Sequence, residues 1–112
     1  MAGFKFFQPE QSVQAPNRRV KNFQEISSGL SRRAALAEAK RCPQCPHPVC
    51  RTACPLGIDI PGFIKDLRGG DAAAALARIK ESNPSPHLCG RVCSAPCEKA
   101  CVLSQDASPI AI

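Results

Sequence analysis

Apolar residues recur at helical spacing in two adjoining stretches. Ile60, Phe63, Ile64 and Leu67 repeat every three or four positions, as do Ala72, Ala75, Leu76 and Ile79, the mark of helices that bury one face. Asp59-Ile60-Pro61 opens the first, with proline in the first turn where its missing N–H costs nothing, and Gly69-Gly70 closes it. Asp71 caps the second, which Asn83-Pro84 stops after about Ser82. These helices are expected to form a hairpin whose apolar faces pack together and bring the chain after Pro84 back to the segment before Asp59. Upstream, Ser31 caps a third predicted helix running through Ala34, Ala35, Leu36, Ala37, Glu38 and Ala39, good helix formers that lead into Cys42. No alternating run of β-branched residues is long enough for a strand, so the expected fold class is all-α with long turns. Residues 1–28 carry Pro9, Pro16 and a basic run with little periodicity. They are expected to be an extended arm that orders on a partner surface, leaving 29–112 as the folded unit.

Composition changes this picture at one point. A chain of 112 residues whose only aromatics are Phe4, Phe6, Phe7, Phe23 and Phe63 can bury only a small core in one domain, and such domains usually need a staple. Eight cysteines supply it, in two runs: Cys42, Cys45, Cys50 and Cys54, then Cys89, Cys93, Cys97 and Cys101. The first run, C-x2-C-x4-C-x3-C-P, differs from the bacterial ferredoxin run by two extra central residues. The second is C-x3-C-x3-C-x3-C. Short gaps let several thiolates converge on one inorganic cluster at little loop-closure cost, and the prolines at 43, 46, 48, 55 and 96 stiffen the turns in advance. In ferredoxin-type runs the cysteine before the proline crosses to a second cluster, so two interleaved clusters are expected, and binding them is also folding energy.

Other uses of eight thiols fit less well. No N-terminal apolar run is long enough for a signal peptide, which leaves a disulfide scaffold without an oxidising destination. Zinc is the stronger rival, because eight cysteines could hold two four-thiolate sites and Cys42-Pro43-Gln44-Cys45 suits either metal. Structural zinc, however, usually takes two separated C-x2-C pairs. A redox pair at Cys42 and Cys45 lacks a surrounding βαβ pattern. His47 and His87 flank prolines in turns and are not needed as ligands. Arg91, between Cys89 and Cys93, is read either as a charge acting on a cluster or as a surface residue, and Phe63 as core filler.

The formal charge of +6 counts cysteines as neutral. With eight thiolates on two oxidised clusters it falls to about +2, and no aromatic stacking platform accompanies the basic residues, so nucleic acid is not an expected partner. A basic face suits an acidic redox partner better. No stretch is long and apolar enough to span a membrane, and reduced thiol chemistry fits the cytoplasm.

The residues also match a known family. Cys42-Pro-Gln-Cys45, Cys50, Cys54-Pro55-Leu-Gly-Ile-Asp-Ile-Pro-Gly-Phe63-Ile64, Asn83-Pro84, Cys89-Gly90-Arg91-Val92-Cys93, Pro96-Cys97-Glu98 and Cys101-Val102-Leu103, with Asn17-Arg18-Arg19-Val20-Lys21-Asn22-Phe23 upstream, closely resemble the N-terminal iron–sulfur domain of the NADPH-dependent glutamate synthase small subunit. Similar domains open dihydropyrimidine dehydrogenase and the large subunit of the electron-bifurcating ferredoxin:NADP oxidoreductase. The resemblance implies an α-helical ferredoxin-like domain with two [4Fe–4S] clusters. It implies that these relay electrons between FAD in a following domain or chain and a partner flavoprotein such as the glutamate synthase large subunit, in glutamate biosynthesis. By the same resemblance Cys42, Cys45, Cys50 and Cys101 hold one cluster, and Cys54, Cys93 and Cys97 hold three irons of the other. The eighth ligand is either Cys89 or, as in relatives, a Gln or Glu beyond Pro109-Ile110-Ala111-Ile112. The second alternative makes the chain a fragment cut before the FAD- and NAD(P)H-binding domains. No G-x-G-x-x-G follows a strand here, and Gly69-Gly70-Asp71 reads as a turn, so the chain is not expected to bind FAD or NADPH or to catalyse hydride transfer alone.

Overall fold

The structure, a computed structural model, describes residues 12–105 and 107–112; the part of the expected arm at 1–11, with Phe4, Phe6 and Phe7, lies outside them. The described residues form helices and turns with no strand, as the all-α reading holds. The helices are α1 (Pro16–Arg19), α2 (Arg32–Arg41), α3 (Val49–Ala53), α4 (Ile60–Arg68), α5 (Ala72–Lys80), α6 (Pro86–Val92) and α7 (Pro96–Ala100), followed by a 3-10 turn at Val102–Gln105.

The three longest helices start where side-chain caps fix them. Ser31 Oγ accepts from Ala34 N at 3.1 Å, Asp59 Oδ1 from Gly62 N at 3.2 Å, and Asp71 Oδ1 from Ala74 N at 2.9 Å. Each pairing satisfies a backbone donor that the first turn of a helix leaves open. At the other end of α4, Gly70 takes φ +86°, a left-handed conformation that costs glycine little, and turns the chain into α5. The remaining helices are five to seven residues long, or four for α1. α6 and α7 begin on a proline.

α4 packs against both α5 and α2, and α3 packs against α7. The buried core is Ala39, Ile60, Ile64, Cys97, Cys101 and Ile110, edged by Cys42, Cys50, Cys54, Ile58, Phe63, Leu67, Leu103 and Ile112. Thiols therefore take places that large apolar side chains hold in other domains, which is how so few aromatics suffice.

The hairpin forms, with one difference from its expected packing. Ile60 and Ile64 face the sulfur-rich core, Ala75 is the buried residue of α5, and Leu76 is 45% exposed. The two helices are also joined by charge: Arg78 donates to Asp66 Oδ2 at 2.7 Å and to Asp59 Oδ2 at 3.1 Å. Arg78 crosses the hairpin directly over Gly62, where an added Cβ would collide with the Asp59 carboxylate and lie 2.7 Å from Arg78 Cδ. Gly62→Ala should therefore destabilise the domain by ~1–2 kcal/mol although alanine is the better helix former. The urea midpoint measures this, and an unchanged or higher midpoint would show that Asp59 and Arg78 move aside at no cost.

Residues 12–28 close into a loop around α1. Val13 bridges Ser27, Gln14 N donates to Ile26 O at 2.8 Å, and Ser28 N donates to Ser12 O at 2.9 Å. Glu25 ties the loop to α6 through Arg91 at 2.7 Å.

Candidate metal centre

Helix ends deliver most of the cysteines. Cys42, Cys54, Cys93 and Cys101 are the C-caps of α2, α3, α6 and α7. Cys50, Cys89 and Cys97 lie within α3, α6 and α7, one helical turn before a cap cysteine. The C-x3-C spacing is thus one turn of a short helix used three times, with both sulfurs of each pair on the same side. Cys45 follows Cys42 through a tight turn in which Gln44 takes φ 55°. Ala95, between Cys93 and Cys97, has φ 53°. Left-handed non-glycine residues are uncommon, and both stand two positions after a cysteine whose sulfur they contact. Gln44 Nε2 donates to Cys42 Sγ at 3.6 Å, and Ala95 N donates to Cys93 Sγ at 3.3 Å.

Two thiol groups result. Cys42, Cys45, Cys50 and Cys101 line one small apolar cavity of ≈ 30 Å³, walled by Pro43, Pro48, Ile60, Ile64 and Ile110. Burial pushes the Cys50 thiol above its ordinary value, against a backbone hydrogen bond from Arg51, and nearby Cys42 and Cys101 add to the rise. In the second group the Cys97 thiol is pushed up to about 11, by burial first, and neighbouring Glu98, Cys54 and Cys93 contribute. Packing of α3 on α7 brings both groups together, since each helix gives one cysteine to each group. The two differ in setting: Cys101 and Cys97 are buried, while Cys93 is exposed.

Cys89 has a polar partner of its own. Its Sγ donates to Asn83 Oδ1 at 3.8 Å. Asn83 is 4% exposed, and its Oδ1 also accepts from Ser85 N at 3.0 Å. His47 and His87 are exposed. Arg91 turns away from the sulfurs to Glu25 and to His87 O at 2.6 Å, so the surface reading of Arg91 is the one its contacts support.

Soft sulfur donors around a small apolar cavity fit an iron–sulfur cluster.

Two supports escape a reading of the sequence. Arg68, at the end of α4, reaches back to α2 and donates to Cys42 O at 2.6 Å and Ala39 O at 3.0 Å. Its signal was its register: it continues the Ile60, Ile64 stripe by one more turn. Glu38 and Arg41, an i, i+3 pair on α2, are buried, their side chains 5% and 4% exposed. Arg41 also holds Ser108 O and Pro109 O, at 2.7 and 2.6 Å.

Residues 19–112 match a family model described as dihydropyrimidine dehydrogenase domain II, 4Fe-4S cluster. Among curated proteins the chain is 35% identical over 94 residues to the glutamate synthase [NADPH] small chain of Mycobacterium tuberculosis, an alignment covering 84% of this chain and 19% of that one. To the Escherichia coli small chain it is 32% identical over 108 residues, 91% of this chain and 23% of that one. To the glutamate synthase [NADH] of Saccharomyces cerevisiae it is 36% identical over 99 residues, 87% of this chain and 5% of that one. The chain thus spans only a minor part of the length of each of these relatives.

Proposed function

We propose a function from the premise that this chain belongs to the family of 4Fe-4S domains described by domain II of dihydropyrimidine dehydrogenase, and is an iron–sulfur domain of the glutamate synthase small-chain type. It is an electron-transfer module carrying two [4Fe–4S] clusters. Cys42, Cys45, Cys50 and Cys101 hold the first, and Cys54, Cys93 and Cys97 hold three irons of the second. The observation that carries this reading is the convergence of four thiols from α2, the following turn, α3 and α7 on one apolar cavity. Such clusters supply one-electron transfer, a step that hydride chemistry on a nicotinamide cannot complete without a flavin between.

The chain's own residues then have defined tasks. Ile60, Ile64 and Ile110 keep water from the first sulfur set, and exposed Cys93 brings the second within reach of a partner. The electrons pass between FAD, in a following domain or separate chain served by NAD(P)H, and a flavoprotein partner such as a glutamate synthase large subunit, in the cytoplasm. Cys89, held by Asn83, stands outside the second set, whose last ligand is a donor other than these eight cysteines.

Iron, zinc and acid-labile sulfide measured on anaerobically reconstituted wild type and Cys89→Ala test this reading. About eight irons and eight sulfides per chain are expected in both. Loss of about four irons in the variant would make Cys89 the eighth ligand. Zinc without sulfide would replace electron transfer by a structural, zinc-stapled role.

A further inference from the structure

We propose that Arg68 is a positioning residue that fixes Cys42 and raises the reduction potential of the cluster Cys42 helps to hold. The inference rests on the reading that Cys42 is a ligand, and extends it to a residue outside both cysteine runs.

Four hydrogen bonds place the guanidinium. Nη2 donates to Cys42 O at 2.6 Å, Ala39 O at 3.0 Å and Lys40 O at 3.3 Å, and Nε donates to Ala39 O at 3.3 Å. These carbonyls lie at the C-terminal end of α2, where the helix dipole is negative, and Ala39 O among them also accepts from Cys42 N at 3.3 Å. A planar five-donor fork can engage several at once, which a lysine ammonium cannot do from one position. The contact fixes the backbone of Cys42 at the point where the chain leaves α2 for the Gln44 turn, and so fixes where its sulfur stands.

The charge of Arg68 also differs in its partners from that of the other hydrogen-bonded arginines. Arg41 meets Glu38, Arg78 meets Asp59 and Asp66, and Arg91 meets Glu25. Among the described residues Arg68 meets carbonyls and no carboxylate. Adding an electron to a thiolate-bound cluster adds negative charge, and a fixed cation close by in a half-buried setting favours the reduced form.

Redox titration of the reconstituted chain, followed by absorbance and electron paramagnetic resonance, tests this with Arg68→Gln, Arg68→Lys and Lys65→Gln. Lys65 is an exposed cation on the same helix. Iron and sulfide are counted first, and a wild type that lacks them overturns the cluster reading, and this inference with it. With the wild-type iron count retained, Arg68→Gln should shift the oxidised-to-reduced ratio of one cluster about tenfold toward oxidised, ~59 mV for one electron. The other cluster should stay unchanged, as should both clusters in Lys65→Gln. Full iron with an unmoved midpoint, or an equal shift in Lys65→Gln, would leave Arg68 as no more than a helix cap. Should Arg68→Gln fail to take up iron, Arg68→Lys decides: a lowered midpoint of one cluster supports the fixed guanidinium, and a wild-type midpoint overturns it.

Discussion

Arg41→Met should cost the reconstituted domain about 3–5 kcal/mol, a large share of the ~5–15 kcal/mol that holds an ordinary domain folded. The Glu38–Arg41 pair is almost fully shielded from water and doubly bonded, at 2.7 and 3.1 Å. Arg41 also satisfies the carbonyls of Ser108 and Pro109, and Glu38 Oε1 accepts from Ala111 N at 2.8 Å. One ion pair on α2 therefore straps down the segment that brings Ile110, 2% exposed, into the core beside Cys101. Methionine fills much the same volume, yet it strands a buried carboxylate and two carbonyls, and stranded charge is the expensive outcome. Arg41→Met with Glu38→Leu should recover part of the loss, because no unpaired charge remains. Urea midpoints of the two single variants and the double variant measure this. A shift in Arg41→Met worth less than ~1 kcal/mol would place the pair with ordinary surface bridges.

What the sequence made legible is the part of the fold governed by local rules. The caps Ser31, Asp59 and Asp71 and the stripe Ile60, Phe63, Ile64, Leu67 act within one or two helical turns, and α2, α4 and α5 stand where they indicate. α3, α6 and α7 are too short to show an amphipathic period. A proline start in α6 and α7, and sulfur packing around α3 and α7, hold them instead. Leu76 faces outward because α5 meets α4 through a small residue, Ala75, and through Arg78, and a hydrophobicity pattern does not register a charged seam. The cysteine spacings tell which sulfurs share a helical turn, not which share a cavity: Cys101 reaches Cys42 and Cys50 only after the whole α4–α5 hairpin has closed. The same long-range closure hides Arg41, whose partners at Ser108 and Pro109 lie at the far end of the chain.

Cys101→Ser should do more damage than Cys93→Ser, although each removes one sulfur from one proposed set. Cys101 is 8% exposed and belongs to the buried core with Ile60, Ile64 and Ile110, while Cys93 is exposed at the end of α6. A serine at 101 loses a cluster ligand and also sets a hydroxyl among isoleucines, a cost of about 1–3 kcal/mol unless it finds a partner. The first sulfur set also joins α2, α3 and α7 around one cavity, so the binding energy lost there is folding energy for the whole domain. At position 93 the hydroxyl meets water, and the first set is left intact. Cys93→Ser should therefore keep about four irons and a wild-type helical circular dichroism spectrum. Cys101→Ser should fall below about four irons, because losing the first cluster loosens the α3–α7 contact on which the second depends. Iron per chain and helical signal on matched reconstitutions decide between them. Equal losses in the two variants would mean that neither set is the structural one, and a full iron complement in Cys101→Ser would remove Cys101 from the first set.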